Sequence, residues 1–268
     1  MHLRLKSSQN RSAGTGARGI KGASLALIAA LATLVLTGCT NGSVYGFESD
    51  ITSVNETSWH LWRGFWLAAA VVGIFTAILI LWPVVRHRRK VGDPEYPKQT
   101  QYNIPVEVAY TVIPFVIVAF LFYFTARDEA KIVAKEPSKV MHVIDVTGIQ
   151  WSWQFGHKDG GANAVVTGTP AQPPTLVLPQ GERVQFNIYS NDVVHGFWIP
   201  DFMIQIQNLP GVKNHIEFTA NKLGEYPGRC NILCGRSHSQ MLFKVKVVTP
   251  AEYKTYVEQL SAQSKVGA

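Results

Sequence analysis

The sequence predicts two membrane-spanning helices followed by an all-β domain outside the membrane, with a cleaved leader in front. Three observations carry that reading. Residues 65–85 hold no charged side chain and residues 106–125 form a second apolar stretch, each near the ~20 residues that cross a bilayer core as a helix. After residue 139 the texture changes to short runs rich in β-branched and aromatic residues. Gly160-Gly161, Pro173-Pro174, Gly181, Pro210-Gly211 and Pro227-Gly228 separate them, the punctuation of a β-sandwich or barrel. Finally, the first 38 residues carry five basic and no acidic residues and end in a short apolar run, the composition of an export signal.

Taken in order, residues 1–38 read as a signal peptide. Arg4, Lys6, Arg11, Arg18 and Lys21 precede the apolar run 23–36, which has the length of a signal core and is short for a span. Leu36-Thr37-Gly38-Cys39 resembles a bacterial lipoprotein cleavage box. The expectation is a mature chain that begins at Cys39 with lipid on its thiol; an ordinary signal peptide with a coincidental cysteine is the alternative. Residues 39–60 form an external segment. The first span covers 61–85, with Trp59, Trp62 and Trp66 at its outer end, where an aromatic belt belongs. Arg86, Arg88, Arg89 and Lys90 follow directly, so the loop 86–104 is cytoplasmic by the positive-inside rule. The second span covers 105–126, and Pro114 within it is a kink that membrane helices tolerate.

Two spans return the chain to the outside, which places residues 127–249 there as one β domain. Strands are expected at 140–146, 175–178, 183–190, 214–219 and 242–248. A closing helix from 250 to about 263, with Tyr253, Tyr256, Val257 and Leu260 on one face, lies within the C-terminal helix and tail, 250–268.

The net charge of +7 invites a nucleic-acid reading, and its distribution opposes one. Five of those charges belong to residues 1–38, residues 39–126 balance at six of each sign, and residues 127–268 hold fourteen basic and twelve acidic residues. No basic stripe remains for a phosphate backbone. Three cysteines, Cys39, Cys230 and Cys234, are too few for a disulfide framework. No Cys-x-x-Cys-His segment is present to attach haem.

Most of the chemistry is concentrated in residues 230–241, where Cys230, Cys234, His238 and Met241 fall within one loop length. Cys-x3-Cys taken alone divides between a disulfide and a metal site. A thioether and an imidazole beside two thiols favour copper, since zinc has little use for the thioether and calcium and magnesium prefer oxygen. Two sulfurs can bridge two copper ions, and each ion then needs its own histidine.

These residues, with His195 in Asp192-Val193-Val194-His195 upstream, resemble the binuclear copper A site of cytochrome c oxidase subunit II. That family's pattern is Cys-x-Glu-x-Cys-Gly-x-x-His-x-x-Met after an Asp-Val-x-His strand, and the resemblance runs from about Leu61 to Met241. It implies a Greek-key cupredoxin domain outside a bacterial cell membrane. The implied copper ligands are His195, Cys230, Cys234, His238, Met241 and the backbone carbonyl of Ile232. The implied role is electron transfer: electrons arrive from a c-type cytochrome and pass to the haem of subunit I, where oxygen is reduced to water. Subunits I and III and membrane lipid are the implied partners, with no nucleic acid. A copper-less scaffold subunit of quinol-oxidase type is opposed by the complete ligand set. The copper A domain of a nitrous oxide reductase is opposed by the two spans.

Further positions carry over by match. Gln150-Trp151-Ser152-Trp153 resembles the family's Gln-Trp-x-Trp stretch, which makes Trp151 the residue where electrons come in. Strand alternation would point Trp151 and Trp153 the same way, so core packing competes for one of them. Glu107, after Asn103 at the head of the second helix, matches a carboxylate near the cytoplasmic mouth of a proton path into subunit I; a carboxylate anchoring a helix end is the alternative. Phe197 and Trp198 are expected around the copper or in the core. His142, His157 and His215 match no ligand and are expected on the surface or as satisfied polar groups. Ile232 stands where the family has glutamate, and Gln207 and Val212 replace an acidic residue and an arginine, so the magnesium or manganese site shared with subunit I is in doubt. The near-neutral charge of residues 127–268 points to a membrane-held cytochrome donor, in a supercomplex with the cytochrome bc complex, rather than to a steered soluble one.

Overall fold

The computed structural model describes residues 46–96, 98–162 and 164–266. The leader and Cys39 lie outside the described residues. Residues 48–268 form one compact unit. Among the described residues, two helices are long and apolar enough to cross a membrane: α1, Asn55–Arg86, and α2, Ile104–Ile132. Their apolar windows are not buried within this chain, the exterior expected of helices that meet lipid or other membrane subunits. Both outrun their charge-free stretches at the external end, α1 by starting at Asn55 and α2 by continuing to Ile132.

The reason lies in two tethers to the β domain, and both converge on β8 (Asn214–Thr219). Ahead of α1, residues 48–54 pack onto the β domain. Ile51 and Val54 are buried in the domain core. The Ser53 amide donates to the Thr219 carbonyl at 2.9 Å, the Thr219 amide to Ser53 Oγ at 3.0 Å, and the Asn221 amide to the Ile51 carbonyl at 2.8 Å. Buried Asn55 closes this strap, accepting from the Ile51 amide and donating to the Asp201 carbonyl. Beyond α2, the Glu136 amide donates to Glu217 Oε2 at 2.9 Å. Arg183 Nε, at 3.1 Å, also donates to that oxygen, and His215 Nε2 lies 2.7 Å from the other. The Glu217 side chain is fully buried. Burial alone would raise its pKa, yet the Glu136 amide, His215 and Arg183 outweigh it and hold the carboxylate below its ordinary range.

The β domain is a sandwich of two five-stranded sheets. β1 (His142–Ile149), β2 (Ser152–His157), β3 (Val165–Thr167), β5 (Arg183–Ser190) and β8 form one, in the order β3-β2-β1-β5-β8. The other is β4-β10-β9-β6-β7, built from β4 (Thr175–Pro179), β6 (His195–Ile199), β7 (Ile204–Asn208), β9 (Gly224–Cys230) and β10 (Leu242–Val248). Each sheet holds one parallel pair, β1 with β5 and β10 with β4, among antiparallel neighbours. This is the cupredoxin-like arrangement the sequence predicts. Trp153, Phe155, Phe186, Phe197, Phe218 and Phe243 fill the space between the sheets, with Phe197 and Phe243 stacked at 5.1 Å and Trp153 edge-on to both.

Five of the ten strands escape the sequence reading. β9 is the instructive case, because Pro227-Gly228 looks like a turn. Pro227 is tolerated because β9 pairs with β6 only at Arg229 and Cys230, which leaves the edge beside Pro227 without a partner strand. Gly228 is needed because the Phe243 ring lies across it; an added Cβ would stand 2.1 Å from that ring.

The closing helix α3, Pro250–Val266, begins with a capping box: Glu252 Oε2 accepts from the Thr249 amide at 2.9 Å and the Glu252 amide donates to Thr249 Oγ1 at 3.3 Å. It buries Tyr253 and Val257. Against expectation His157 is fully buried, with Nδ1 3.1 Å from the Tyr253 hydroxyl and Nε2 without a hydrogen-bond partner. His142 and His215 are satisfied, His142 Nε2 lying 2.7 Å from Glu182 and His215 Nε2 2.7 Å from Glu217.

Candidate metal centre

Two neighbouring strands of the second sheet carry the cluster. His195 opens β6 and Cys230 closes β9, so the pairing of Phe197 with Cys230 brings them together. The loop from Asn231 to Met241 is drawn shut at its base by a hydrogen bond from the Cys230 amide to the Met241 carbonyl, 2.9 Å. Gly235, at φ +123°, lets the chain reverse within it. The loop packs five of the sequence-predicted groups together, and His195 on β6 adds the sixth. Cys230 and Cys234 are free thiols with sulfurs 3.8 Å apart, far beyond the ~2.05 Å of a disulfide. Cys234 Sγ lies 3.5 Å from His238 Nδ1 and 3.7 Å from Met241 Sδ, and Cys230 Sγ lies 3.2 Å from the Ile232 carbonyl oxygen. The ligand atoms of His195, Cys230 and Cys234 all fall within 4.8 Å of one another.

His195 supplies the test of whether a metal fits. It is fully buried, and its Nδ1 has no hydrogen-bond partner, an arrangement that costs free energy unless something occupies the lone pair. Its Nε2 is taken by Asp192 Oδ1 at 2.8 Å. A carboxylate holding the far nitrogen of an imidazole is how proteins orient a metal-binding histidine. Asp192 is itself fixed, because its Oδ2 accepts from the Gln150 amide at 2.6 Å.

The electrostatics favour cations. Burial would raise the Cys230 pKa, but His195, the Gly196 and Ile232 amides and Cys234 outweigh it and bring the thiol down to about 6. Burial and the adjacent Cys230 sulfur push Cys234 up to about 12. Two thiolates at this separation repel, and only bound cations stabilise both, so metal binding here releases protons.

The other predicted residues sort by position. Trp151 is half-buried and sits in the turn between β1 and β2, not in a strand, so alternation does not pair it with Trp153; Trp153 is core. The Trp151 indole Nε1 donates to the Cys234 carbonyl at 3.2 Å. Phe197 is core, whereas half-buried Trp198 lies under Arg229. Glu107 is exposed and its Oε1 accepts from the Asn103 amide at 3.0 Å, closing the first turn of α2. Sequence reasoning missed the supporting residues Gln150, Gly148 and Gly196. A Cβ at Gly148 would stand 2.7 Å from the His195 ring, and one at Gly196 2.0 Å from the Asn231 side chain. Gln150 stood in the Gln-Trp-Ser-Trp motif; nothing local marked the two glycines.

A cupredoxin-like sandwich on a helical hairpin, with a cysteine–histidine–methionine cluster at one end, defines a membrane-anchored metal domain. Known proteins of this kind bear directly on the chain. Residues 171–248 match the family model described as cytochrome C oxidase subunit II, periplasmic domain. The chain is 38% identical to the "Probable cytochrome c oxidase subunit 2" of Streptomyces coelicolor, over 90% of this chain and 88% of that protein. It is 33% identical to the "Cytochrome c oxidase subunit 2" of Mycobacterium tuberculosis, over 93% and 84%. The periplasmic domain of subunit II of cytochrome oxidase from Bradyrhizobium japonicum aligns with 47% of this chain and 96% of that domain, at 28% identity and a TM-score of 0.43. The chain belongs to the cytochrome c oxidase subunit 2 family: it is subunit II of a haem–copper oxidase, and its external domain implies a copper centre.

Proposed function

We propose that this chain receives electrons for its oxidase at a binuclear copper A centre held by His195, Cys230, Cys234, His238, Met241 and the Ile232 carbonyl. When bound, the copper pair supplies one-electron chemistry between a c-type cytochrome and the haem of subunit I. The buried, partnerless Nδ1 of His195 beside two free thiols 3.8 Å apart carries the reading. In it, the Cys230 and Cys234 thiolates and the His195 and His238 imidazoles would be the main groups holding the copper, with Met241 and the Ile232 carbonyl as further donors. Asp192 fixes the His195 ring, and buried Phe197 and Met241 keep water away. Trp151 is where electrons come in. Glu107 lies near the cytoplasmic mouth of a proton path into subunit I. The leader ends before a lipidated Cys39. Subunit III and a membrane-held cytochrome donor, in a supercomplex with the cytochrome bc complex, complete the assembly. Ile232 offers no carboxylate, so a magnesium or manganese ion shared with subunit I lacks that ligand.

The test is metal analysis and electron paramagnetic resonance of the purified oxidase. Two coppers per chain with a mixed-valence signal are expected, together with loss of that signal and most oxygen consumption in Cys230→Ser or Cys234→Ser. One zinc and no copper in the wild type would sink the proposal.

A further inference from the structure

The turn between β1 and β2 is stitched to both ligand-bearing segments by a single residue. The backbone amide of Gln150 donates to Asp192 Oδ2 at 2.6 Å, and Asp192 in turn holds His195 Nε2 at 2.8 Å. The side-chain amide of the same residue donates to the Cys234 carbonyl at 2.8 Å, alongside the Trp151 indole at 3.2 Å. Cys234 is 84 positions away along the chain, so nothing but the fold brings them together. The approach is close, and the residue after the cysteine is a glycine at φ +123°. A Cβ on Gly235 would stand 3.1 Å from Gln150 Nε2 and 3.1 Å from Trp151 Nε1.

We infer that Gln150 is a positioning residue of the electron-accepting site, locking the Trp151 indole and the Cys234 peptide into one hydrogen-bonded unit. Two donors on one carbonyl fix the plane of the Cys234–Gly235 peptide, and with it the direction in which the Cys234 sulfur is presented. They also aim two N–H dipoles at the carbonyl of the residue that carries the sulfur, which stabilises a more electron-rich centre. The Trp151 indole, held by the same acceptor, gains a route of one hydrogen bond and a few covalent bonds to the Cys234 sulfur. In the transfer it serves, one electron would pass from a ferrous cytochrome, which becomes ferric, to the copper centre held by the cluster, which is reduced by one electron, and no bond is made or broken. Without the Gln150 amide the indole must hold the carbonyl alone, and the turn is free to shift. The residue itself is exposed, so its contribution lies in its two anchored amides and not in core packing.

This rests on the copper reading proposed above, and the experiment separates the two. Gln150→Ala removes the side-chain donor but keeps the backbone amide that holds Asp192; Gln150→Glu keeps the shape and sets a carboxylate against the Cys234 carbonyl. Each variant oxidase is purified whole. Copper content, the paramagnetic resonance signal, the reduction potential of the centre and steady-state oxidation of a soluble c-type cytochrome are then measured. The expected result is wild-type copper content with an altered copper hyperfine pattern and a lowered potential. The kcat is expected to fall about tenfold at nearly constant KM, the scale on which residues supporting metal ligands act, with Glu more affected than Ala. An unchanged signal and potential with only a raised KM would make Gln150 a docking contact and overturn the inference. Wild-type oxidase without copper would instead remove the reading on which it stands.

Discussion

At the scale of single residues, the site separates groups that would touch metal from groups that hold them. Cys230, Cys234, His238 and Met241 belong to one short loop, and their spacing is legible because a loop can gather only near neighbours. Gly148 and Gly196 are illegible for the opposite reason: each leaves room for a side chain from another element. Ile232 shows how a substitution at a family position can leave a site intact. Its backbone oxygen, 3.2 Å from the Cys230 sulfur, does not depend on the side chain. His157 makes a prediction of its own. Burial holds its pKa down from 6.5 to about 4, against the opposing pull of Asp159. Because the folded-state value lies below the unfolded one, the stability is fully present above pH 6.5 and is lost as pH falls toward 4. A depression of that size corresponds to about 3 kcal/mol across that window. His157→Phe should flatten the dependence of thermal unfolding between pH 6.5 and 4; an unchanged slope would assign it to other groups.

At the scale of elements, β8 does more than complete a sheet. The strap before α1 pairs with its end at Thr219 and Ala220, and the linker after α2 is held by Glu217 in its middle. Both membrane helices are therefore fastened to one strand of the β domain. Removing a buried carboxylate that holds an arginine costs about 3 kcal/mol, so Glu217→Ala should lower the unfolding temperature of the full chain. It should also raise hydrogen exchange at the Glu136 amide. Since the folded Glu217 pKa is lowered, its contribution is present above about pH 4.5 and declines as pH falls through the folded value. Exchange at Glu136 that matches the wild type would show the linker held by other contacts.

At the scale of the whole molecule, the balance of charge bears on how electrons arrive. Residues 127–268 carry fourteen basic and twelve acidic residues, and Asp192, the carboxylate that holds His195, is also engaged with the Gln150 amide. Exposed Leu233 projects from the ligand loop instead. A domain without net acidity has little long-range attraction for a basic soluble cytochrome unless a local acidic patch supplies it, whereas a tethered donor needs no steering. Electron delivery from the native donor should therefore vary by less than about threefold as salt rises from 20 to 200 mM, a range over which steered association falls steeply. A steep decline, with a soluble cytochrome as sole donor, would overturn the tethered arrangement.

The sequence by itself determined the two spans, the change to β structure and the ligand loop. Each is written in local terms: the length of an apolar run, the period of side chains, and the spacing of four donors within twelve residues. Tertiary structure alone decided that Asp192, held by the Gln150 amide, takes His195 Nε2 and leaves Nδ1 open, that Gln150 and Trp151 close over Cys234, that residues 48–54 strap onto β8, and that Pro227-Gly228 is strand and not turn. The physical reason is common to all four. Contacts between distant residues depend on strand order and register, which are set by burying both sheets against each other. Local propensity carries no information about a partner 84 residues away.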